Sequence, residues 1–300
     1  MLQACRADAA ADSLPSVTDL IYYRQPLLMK ADVRLSDLEL ADDGAWARLD
    51  RTLVYPGGGG QPADVARIAG IPISGIDLED KHSPRYLLTG PGAPDLRPGA
   101  TVTVTVDPQH RTDYMEQHSG QHLLSAALKR TLDLNTVAVH QGPQLTTIEL
   151  DRDAPADELS EAVAEAAAGI IAENRPITMR EVDEDELQTL PLRRPTKRRG
   201  RIRIVEISDY DCAACGGVHL PSTGRIGGVA LAGTERIRGR TRSAWYIGRR
   251  ARSEFQKRIS EGQVLADLLS AAPGLQADAV GQLLRGVKDR EAEIRRLQAE

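Results

Sequence analysis

Strict alternation of apolar and polar residues marks the first third of the chain. Residues 101–106 (TVTVTV) alternate with period two, and other short apolar runs are separated by glycine-rich turn signals at 56–60 and 90–92. Alternation of this kind is typical of strands with one buried face. The pattern predicts a compact, mostly β domain of the barrel type over residues 20–107.

The periodicity then changes to that of helices. Residues 111–132 contain no proline and predict a long helix, which two short strands follow at about 136–141 and 145–150. A second helix is predicted from Pro155, which suits a first helical turn, to a stop at 174–176. Its expected buried stripe is Leu159, Val163, Ala167, Ile170 and Ile171.

Further strands are predicted after the second helix. They lie at 201–207 (RIRIVEI), 229–230 and 243–247. Together with the two helices they predict an α+β domain over residues 108–250, in which helices pack on a largely antiparallel sheet.

The last part of the chain, 251–300, is charged and helical. An approximate heptad, interrupted by Arg290, predicts a helical hairpin or a coiled coil, and a homodimer through these helices. A helix packed back on its own domain is the alternative. The heptad consists of Val280, Leu283, Val287, Ile294 and Leu297.

Composition narrows the class of protein. Of 300 residues, 41% are hydrophobic and 27% are charged, as in a soluble protein of about two domains. No apolar run approaches the ~20 residues that span a bilayer, so a membrane is not an expected partner. Residues 1–19 lack the apolar core of a signal peptide and predict a disordered extension. With only three cysteines, no disulfide framework is expected, and the predicted location is the cytoplasm.

Charge is distributed unevenly. Residues 193–258 contain 17 Lys/Arg and 5 Asp/Glu, a local net charge of +12 in a chain of net charge −5. A basic region on an acidic protein is typical of contact with a phosphate backbone, although single arginines often only solubilise a surface. An aromatic content of 3% disfavours recognition by base stacking. The predicted tRNA contacts are Arg193, Arg194, Lys197, Arg198, Arg199 and Arg201.

Two short motifs together predict a metal site. His118 and His122 are four residues apart on the first predicted helix, so they share one face. Cys215 and His219 have the same spacing in a glycine-containing loop after a strand. Either pair alone is weak evidence, but one thiolate and three imidazoles form a complete ligand set for Zn²⁺.

Alternatives exist for these motifs. Cys212 is a second candidate for the thiolate ligand, and Cys212 with Cys215 also matches the spacing of a redox pair. The surrounding sequence lacks the βαβ context of a thioredoxin-like site. A zinc protease is disfavoured because HSGQH has no glutamate after its first histidine.

A run of four glycines in the β domain is a further candidate (Tyr55–Asp64, YPGGGGQPAD). Gly58 and Gly59 would let the backbone approach a substrate or another domain closely. No Gly-Lys-Ser/Thr follows, so the run is not a P-loop. Gln61, Asp64 and Gln121 are candidates for positioning a substrate.

These motifs, in this order, resemble those of the AlaX-type alanyl-tRNA editing proteins, relatives of the editing domain of alanyl-tRNA synthetase. The resemblance covers roughly 22–250. It implies a β-barrel domain followed by the editing domain of threonyl- and alanyl-tRNA synthetases, with one zinc held by the four ligands above. Val218 departs from the family, which commonly has threonine there. The matching segments are YPGGGGQPAD, QHSGQHLL (117–124), TVAVHQG (136–142), CGGVH (215–219) and GRIGG (224–228).

The resemblance implies a zinc-dependent deacylase for mischarged alanine tRNA that acts in trans, because too few residues precede His118 for a synthetase core. A pocket for alanine rejects serine poorly, so a second site must recognise the serine hydroxyl, and Thr136 resembles the family's hydroxyl-sensing threonine. Ser-tRNA(Ala) is the expected substrate and Gly-tRNA(Ala) a second one. No side-chain base is identified, so a zinc-bound water is the expected nucleophile, unless zinc instead orients the amino-acid group.

Other functions remain open from the sequence. The same hydrolase acting on another mischarged tRNA is one. A tRNA-binding or dimerising module with purely structural zinc is another. A general zinc hydrolase for small molecules is a third, which the basic region disfavours.

Overall fold

The computed structural model describes residues 18–78 and 83–299. Residues 1–17 of the predicted extension 1–19 therefore lie outside the described residues. Its last two residues belong to the fold, because the buried Thr18 donates a hydrogen bond to Leu49 O (2.8 Å) and Asp19 begins a strand.

The first part of the structure is the predicted β-barrel. Strands β2, β3, β7, β6, β5 and β8 close into a barrel in that order, and the short β1 pairs in parallel with β4. Val102, Val104 and Val106 of β8 face the core while the intervening threonines are more exposed, as the alternation predicted. The strands are β1 (Asp19–Leu20), β2 (Lys30–Ala41), β3 (Gly44–Leu49), β4 (Arg51–Thr52), β5 (Ala66–Ile68), β6 (Ile71–Asp77), β7 (Arg85–Leu88) and β8 (Thr101–Val106).

A long helix, α1 (Pro108–Leu132), follows the barrel and is buried along most of its length. It begins one turn before the predicted start. The reason is its cap: the Asp107 side chain accepts hydrogen bonds from the amides of Gln109 and His110, and Pro108 suits the first turn, where its missing amide is not needed.

Two antiparallel sheets and shorter helices complete the α+β part. One sheet has the order β14-β15-β10-β9 and the other β11-β12-β13. Helix α1 contacts β9, β10, β15 and β13, so it brings one helix face to both sheets. The elements are β9 (Thr136–Gln141), β10 (Thr146–Leu150), α2 (Ala156–Glu165), β11 (Ile177–Val182), α3 (Glu184–Thr189), β12 (Ile202–Ile207), β13 (Asp211–Ala214), β14 (Val229–Ile237) and β15 (Arg240–Ile247).

Helix α2 differs in detail from its prediction. It continues as a π-helical turn (Ala166–Ile171), and Asn174, at a positive φ of 53°, ends it where predicted. The buried residues include Ala162 and Ala166, whereas Ala167, expected in the buried stripe, is exposed. The buried positions keep regular helical spacing but run through Ala162 and Ala166, on the neighbouring line of the helix to Val163 and Ala167.

The last two helices form a unit of their own. The chain divides into two compact units between Gly248 and Arg249. The second unit contains α4 (Arg249–Leu269) and α5 (Gln276–Ala299), which contact each other, as expected for a helical hairpin. The heptad side chains of α5 are largely exposed, and dimerisation through them stays a prediction.

The α+β class, the six-stranded barrel and the C-terminal helices are thus confirmed. Among the described residues no helix combines the length and the apolar character needed to cross a membrane.

Candidate metal centre and the cavity above it

The four predicted ligands lie together in the structure. Helix α1 presents His118 and His122 from successive turns, and the loop after β13 presents Cys215 and His219. Their ligand atoms all lie within 4.8 Å of one another. Cys215 Sγ is 3.3 Å from Nε2 of both His118 and His219.

Each imidazole has one ring nitrogen within 3.4 Å of a polar side-chain atom. His118 Nδ1 lies 2.8 Å from Gln61 Oε1, His219 Nδ1 lies 3.3 Å from Ser119 Oγ, and His122 Nδ1 lies 3.4 Å from Asp211 Oδ2. Histidines that bind metals usually have such partners, which fix the ring and its tautomer. The donor set and its surroundings therefore fit Zn²⁺.

The ionisation of the cluster also suits a cation. Burial, with the nearby Arg203 guanidinium, lowers the pKa of His118 to about 3, and burial holds the pKa of His219 well below its ordinary value. Burial alone would raise the pKa of the Cys215 thiol, but His122, the Gly217 amide and Arg203 together bring it below its usual range. Neutral imidazoles and a thiolate are the forms that bind zinc.

The loop that carries Cys215 requires a glycine at 217. A β-carbon there would overlap Cε1 and Nδ1 of His118 and come within 2.7 Å of Gln61 Oε1. At Gly216 the nearest atom to such a carbon is Tyr23 Oη, at 3.7 Å. Of these two glycines, only Gly217 is needed for the close approach of the loop to the helix.

Arg203, on β12, donates hydrogen bonds to the same loop. Its Nη1 donates to the carbonyls of Cys215 (3.1 Å) and Gly217 (2.6 Å), and its guanidinium lies over the Tyr23 ring, 4.4 Å from the centroid. The residue is 8% exposed. Hydrogen bonds from a buried charged donor are stronger than neutral ones, so the loop is tightly held.

The glycine run of the barrel reaches this centre through Gln61. Gly58 and Gln61 exchange backbone hydrogen bonds in a tight turn at which Gly58, Gly59 and Gly60 all have positive φ. The turn aims Gln61 at the ligands, where its Oε1 also accepts from Val218 N (3.0 Å). Gln61 therefore contacts a ligand directly instead of lining the cavity.

Asp64 anchors the run to α1. Its carboxylate pairs with Arg111, whose side chain is fully buried, and accepts from Tyr55 N (2.6 Å). Asp64 and Gly58 are not among the residues that line the cavity described next. Substrate contact by either stays a prediction.

A cavity of about 620 Å³ opens on the ligand cluster. His118, His122 and Cys215 form part of its wall, together with Gly59, Gln121 and Thr136. The irregular segment 193–198 forms another part of its lining. The same cavity is therefore lined by three of the predicted metal ligands, three of the predicted substrate contacts and the start of the basic cluster.

The predicted tRNA contacts fall into two groups. Arg193 is bound internally, since its Nε donates to Asp211 Oδ1 (2.7 Å), the carboxylate beside His122. Arg201 pairs with Glu181 (3.0 Å) on the surface. The remaining four are exposed on the irregular segment: Arg194, Lys197, Arg198 and Arg199.

Cys212 faces away from the ligands. It packs with Val182, Ile202 and Ile204 in a separate apolar cluster, and burial raises the pKa of its thiol. Successive side chains of a strand point to opposite faces, so Asp211 reaches the centre while Cys212 cannot.

Sequence reasoning did not predict the roles of four residues of this site: Asp211, Arg203, Ser119 and Ser125. Arg203 lies in a predicted strand and Asp211 just before the ligand loop, but the roles of both depend on contacts with distant positions. Ser125 lies three residues after His122, on the same helix face, and this spacing is a signal that could have found it.

Comparison with known proteins agrees with this geometry. Residues 202–242 match the family model of the threonyl and alanyl tRNA synthetase second additional domain. The match includes Cys215 and His219, so this part of the chain is similar to that domain.

Relatives that align over most of the chain have more specific names than this domain. The alanyl-tRNA editing protein AlaX-L of Pyrococcus horikoshii is 29% identical over 95% of this chain and 71% of its own length. Aarsd1-A of Xenopus laevis, also an alanyl-tRNA editing protein, is 29% identical over 80% of this chain and 58% of its own. The alanine–tRNA ligase of Pyrococcus furiosus is 29% identical over 94% of this chain, which spans 32% of that enzyme. The resemblance to AlaX-type alanyl-tRNA editing proteins is thereby confirmed.

Proposed function

We propose that the chain is a zinc-dependent aminoacyl-tRNA deacylase that removes serine from mischarged tRNA(Ala), with glycine as a second candidate. One observation carries the proposal: three of four mutually close zinc-type ligands line a cavity whose lining also includes a basic segment. A hydrolytic centre beside a phosphate-binding surface suits an ester at the end of a tRNA. The names of the relatives point the same way.

The proposed chemistry rests on positioning. Zinc bound by His118, His122, Cys215 and His219 would supply Lewis-acid activation or orientation of the aminoacyl group. Gln61, Ser119 and Asp211 hold the imidazoles, so the centre is organised before substrate arrives. Substrate ester carried into the cavity would lie between these ligands and Thr136.

The exposed basic side chains would bind the tRNA backbone. Arg194, Lys197 and Arg198 line the cavity, so they can contact phosphates next to the aminoacylated end, and Arg199 extends the surface. Arg193 and Arg201, already paired with carboxylates, would contribute less. Cytoplasmic location, and dimerisation through α4 and α5, remain parts of the proposal that await their own tests.

Deacylation of Ser-tRNA(Ala) beside Ala-tRNA(Ala) tests the proposal, with wild-type protein, chelator-treated protein and Cys215→Ala. We expect rapid loss of serine only, stopped by the chelator, restored by Zn²⁺ and absent in the variant. Hydrolysis unaffected by zinc removal would refute the proposed chemistry. A panel of other mischarged tRNAs identifies the substrate if Ser-tRNA(Ala) is stable.

A second candidate is a tRNA-binding module with structural zinc. Four protein ligands within reach of one ion favour it, because structural zinc sites are closed by four such ligands whereas catalytic ones usually keep a position open. Tight tRNA binding without hydrolysis of any ester would establish that function instead.

A further inference from the structure

Ser125 connects two of the residues that line the cavity. It lies on α1, 1% exposed, one turn from Gln121 and beside the first residue of β9, Thr136. Its Oγ accepts a hydrogen bond from Gln121 Nε2 (2.7 Å) and one from Thr136 Oγ1 (2.7 Å). The three side chains form one chain of hydrogen bonds, which runs from the buried Gln121 and Ser125 to the half-buried Thr136 at the cavity.

The geometry of the two hydrogen bonds gives this chain its direction. An amide nitrogen can only donate, whereas a hydroxyl has one hydrogen and two lone pairs. Ser125 Oγ accepts from both neighbours, so the single hydroxyl hydrogen of Thr136 is used inside the protein. Thr136 therefore presents lone pairs, and no hydrogen, to the cavity.

We propose that Ser125 is a specificity-determining positioning residue, which holds the Thr136 hydroxyl as a fixed acceptor so that the cavity selects aminoacyl groups with a hydrogen-bond donor on the β-carbon. This inference rests on the proposed function. A seryl hydroxyl can donate to Thr136 Oγ1. An alanyl methyl cannot, and it would displace water from that acceptor without replacing its hydrogen bond, which costs binding free energy.

The selectivity then depends on the direction of a hydrogen bond rather than on size alone. A group of serine's size that can only accept should be treated like alanine, and one that can donate should be treated like serine. This distinguishes the proposal from a pocket that merely has room for a hydroxyl.

Two measurements test the inference. The first compares kcat/KM for tRNA(Ala) esters of serine and alanine in wild type, Ser125→Ala, Ser125→Thr and Ser243→Ala, with zinc content measured in each. Ser243 is the matched control, because it is a fully buried serine that accepts from Trp245 Nε1 (2.8 Å) and donates to Ile148 O (3.1 Å) away from the cavity lining.

We expect Ser125→Ala to lower the serine-to-alanine ratio by about 3- to 10-fold, the usual effect of removing one hydrogen bond, with zinc content unchanged. Ser125→Thr, which keeps the hydroxyl, should restore the ratio, and Ser243→Ala should leave it unchanged. Thr136→Val added to Ser125→Ala should lower it little further, because both changes act on one bond. A wild-type ratio in Ser125→Ala, or effects of the two changes that multiply, would overturn the inference.

The second measurement needs no variant. Wild-type protein is given tRNA(Ala) esters of 3-fluoroalanine, which can only accept weakly, and of 2,3-diaminopropionate, which can donate, with each rate divided by that of spontaneous hydrolysis. We expect 3-fluoroalanine to be treated like alanine and 2,3-diaminopropionate like serine. The reverse order refutes the inference while leaving the deacylase intact, whereas no hydrolysis of any ester by zinc-loaded wild type would overturn the proposed function itself.

Discussion

The ligand side and the basic side of the cavity are built in opposite ways. On the ligand side, His118, His122 and His219 are at most 5% exposed, and each has one ring nitrogen within 3.4 Å of a polar side-chain atom. On the basic side, residues 195–199 belong to no helix or strand and most of their side chains are exposed. Bond-breaking chemistry needs fixed geometry, whereas attraction of a phosphate backbone needs mainly charge at the surface.

Arg193 shows where the boundary between these two sides lies. In sequence it begins the basic cluster, yet its guanidinium pairs with Asp211, which supports His122. Its side chain thus belongs to the ligand side of the cavity, and the exposed basic side chains begin at Arg194. If this division is correct, substitutions on the ligand side should lower zinc affinity or the free energy of unfolding. Substitutions on the basic side should instead lower the affinity for tRNA.

The largest effect is expected from Gly217→Ala. The added β-carbon would overlap the His118 ring and press on Gln61, so the helix and the loop can no longer approach. We expect zinc affinity to fall by more than about 100-fold, beyond the usual effect of removing a ligand's supporting partner, with deacylation abolished in parallel. Competition with a chromophoric chelator measures it.

Gly216→Ala is the matched control. Its β-carbon would meet nothing closer than 3.7 Å, and its φ is not in the left-handed region, so alanine fits the backbone. Equal zinc affinity in the two variants would show that the ligand side tolerates displacement and would remove the contrast.

A smaller but substantial effect is expected from Arg203→Met. Methionine fills part of the volume but leaves the carbonyls of Cys215 and Gly217 without their donor. We expect a decrease of about 2–4 kcal/mol in the free energy of unfolding, measured in urea, and weaker zinc binding. Arg201→Ala, two residues away and 77% exposed at its side chain, should change stability by less than about 0.5 kcal/mol. A similar decrease in both variants would contradict the role assigned to Arg203.

Neutralising the basic side should give a different signature. We expect Lys197→Ala, Arg198→Ala and Arg199→Ala together to raise KM for tRNA about tenfold and to lower the dependence of log affinity on log salt by about 0.7–0.9 for each phosphate that the variant no longer neutralises. Zinc content should be unchanged. Binding measured over a series of salt concentrations gives the slope.

A variant with the same change in net charge controls for long-range attraction. Lys30, Arg51 and Arg67 are exposed on the barrel and can be replaced by alanine together. If that variant alters the salt slope as much as the first, the segment makes no direct phosphate contacts.

Short-range patterns made much of this architecture predictable. The alternation of TVTVTV and the strand 136–141 follow from periods of two, and the ligand pairs follow from spacings of four. The supporting contacts could not be predicted. Gln61 meets His118 across 57 positions of sequence, and the Ser119 hydroxyl meets His219 across 100. Such pairs depend on how the barrel, α1 and the loop pack together.

Dependence on contacts between distant positions also explains the less accurate predictions. Ala167 has the spacing of a buried residue, but the helix buries the neighbouring line through Ala162 and Ala166 instead. Arg193 and Lys197 are equally basic in sequence, and only the position of Asp211 makes one internal. Strand β13 is absent from the predicted strands, because its segment DCAA contains no β-branched or aromatic residue and is formed by pairing with β12.

The smallest effect is expected from Cys212→Ala, because this side chain faces away from the zinc ligands. Cys212 and Asp211 are neighbours, but the strand directs Cys212 into the apolar cluster with Ile202 and Ile204. Removing its sulfur should cost about 1 kcal/mol of stability through poorer packing, while zinc affinity and the rate of deacylation stay within about twofold of wild type. Parallel zinc titrations of Cys212→Ala and Cys215→Ala measure this. If zinc affinity fell equally in the two variants, the ligand set inferred from the geometry would be wrong, because strand alternation allows only one of these thiols to face the histidines.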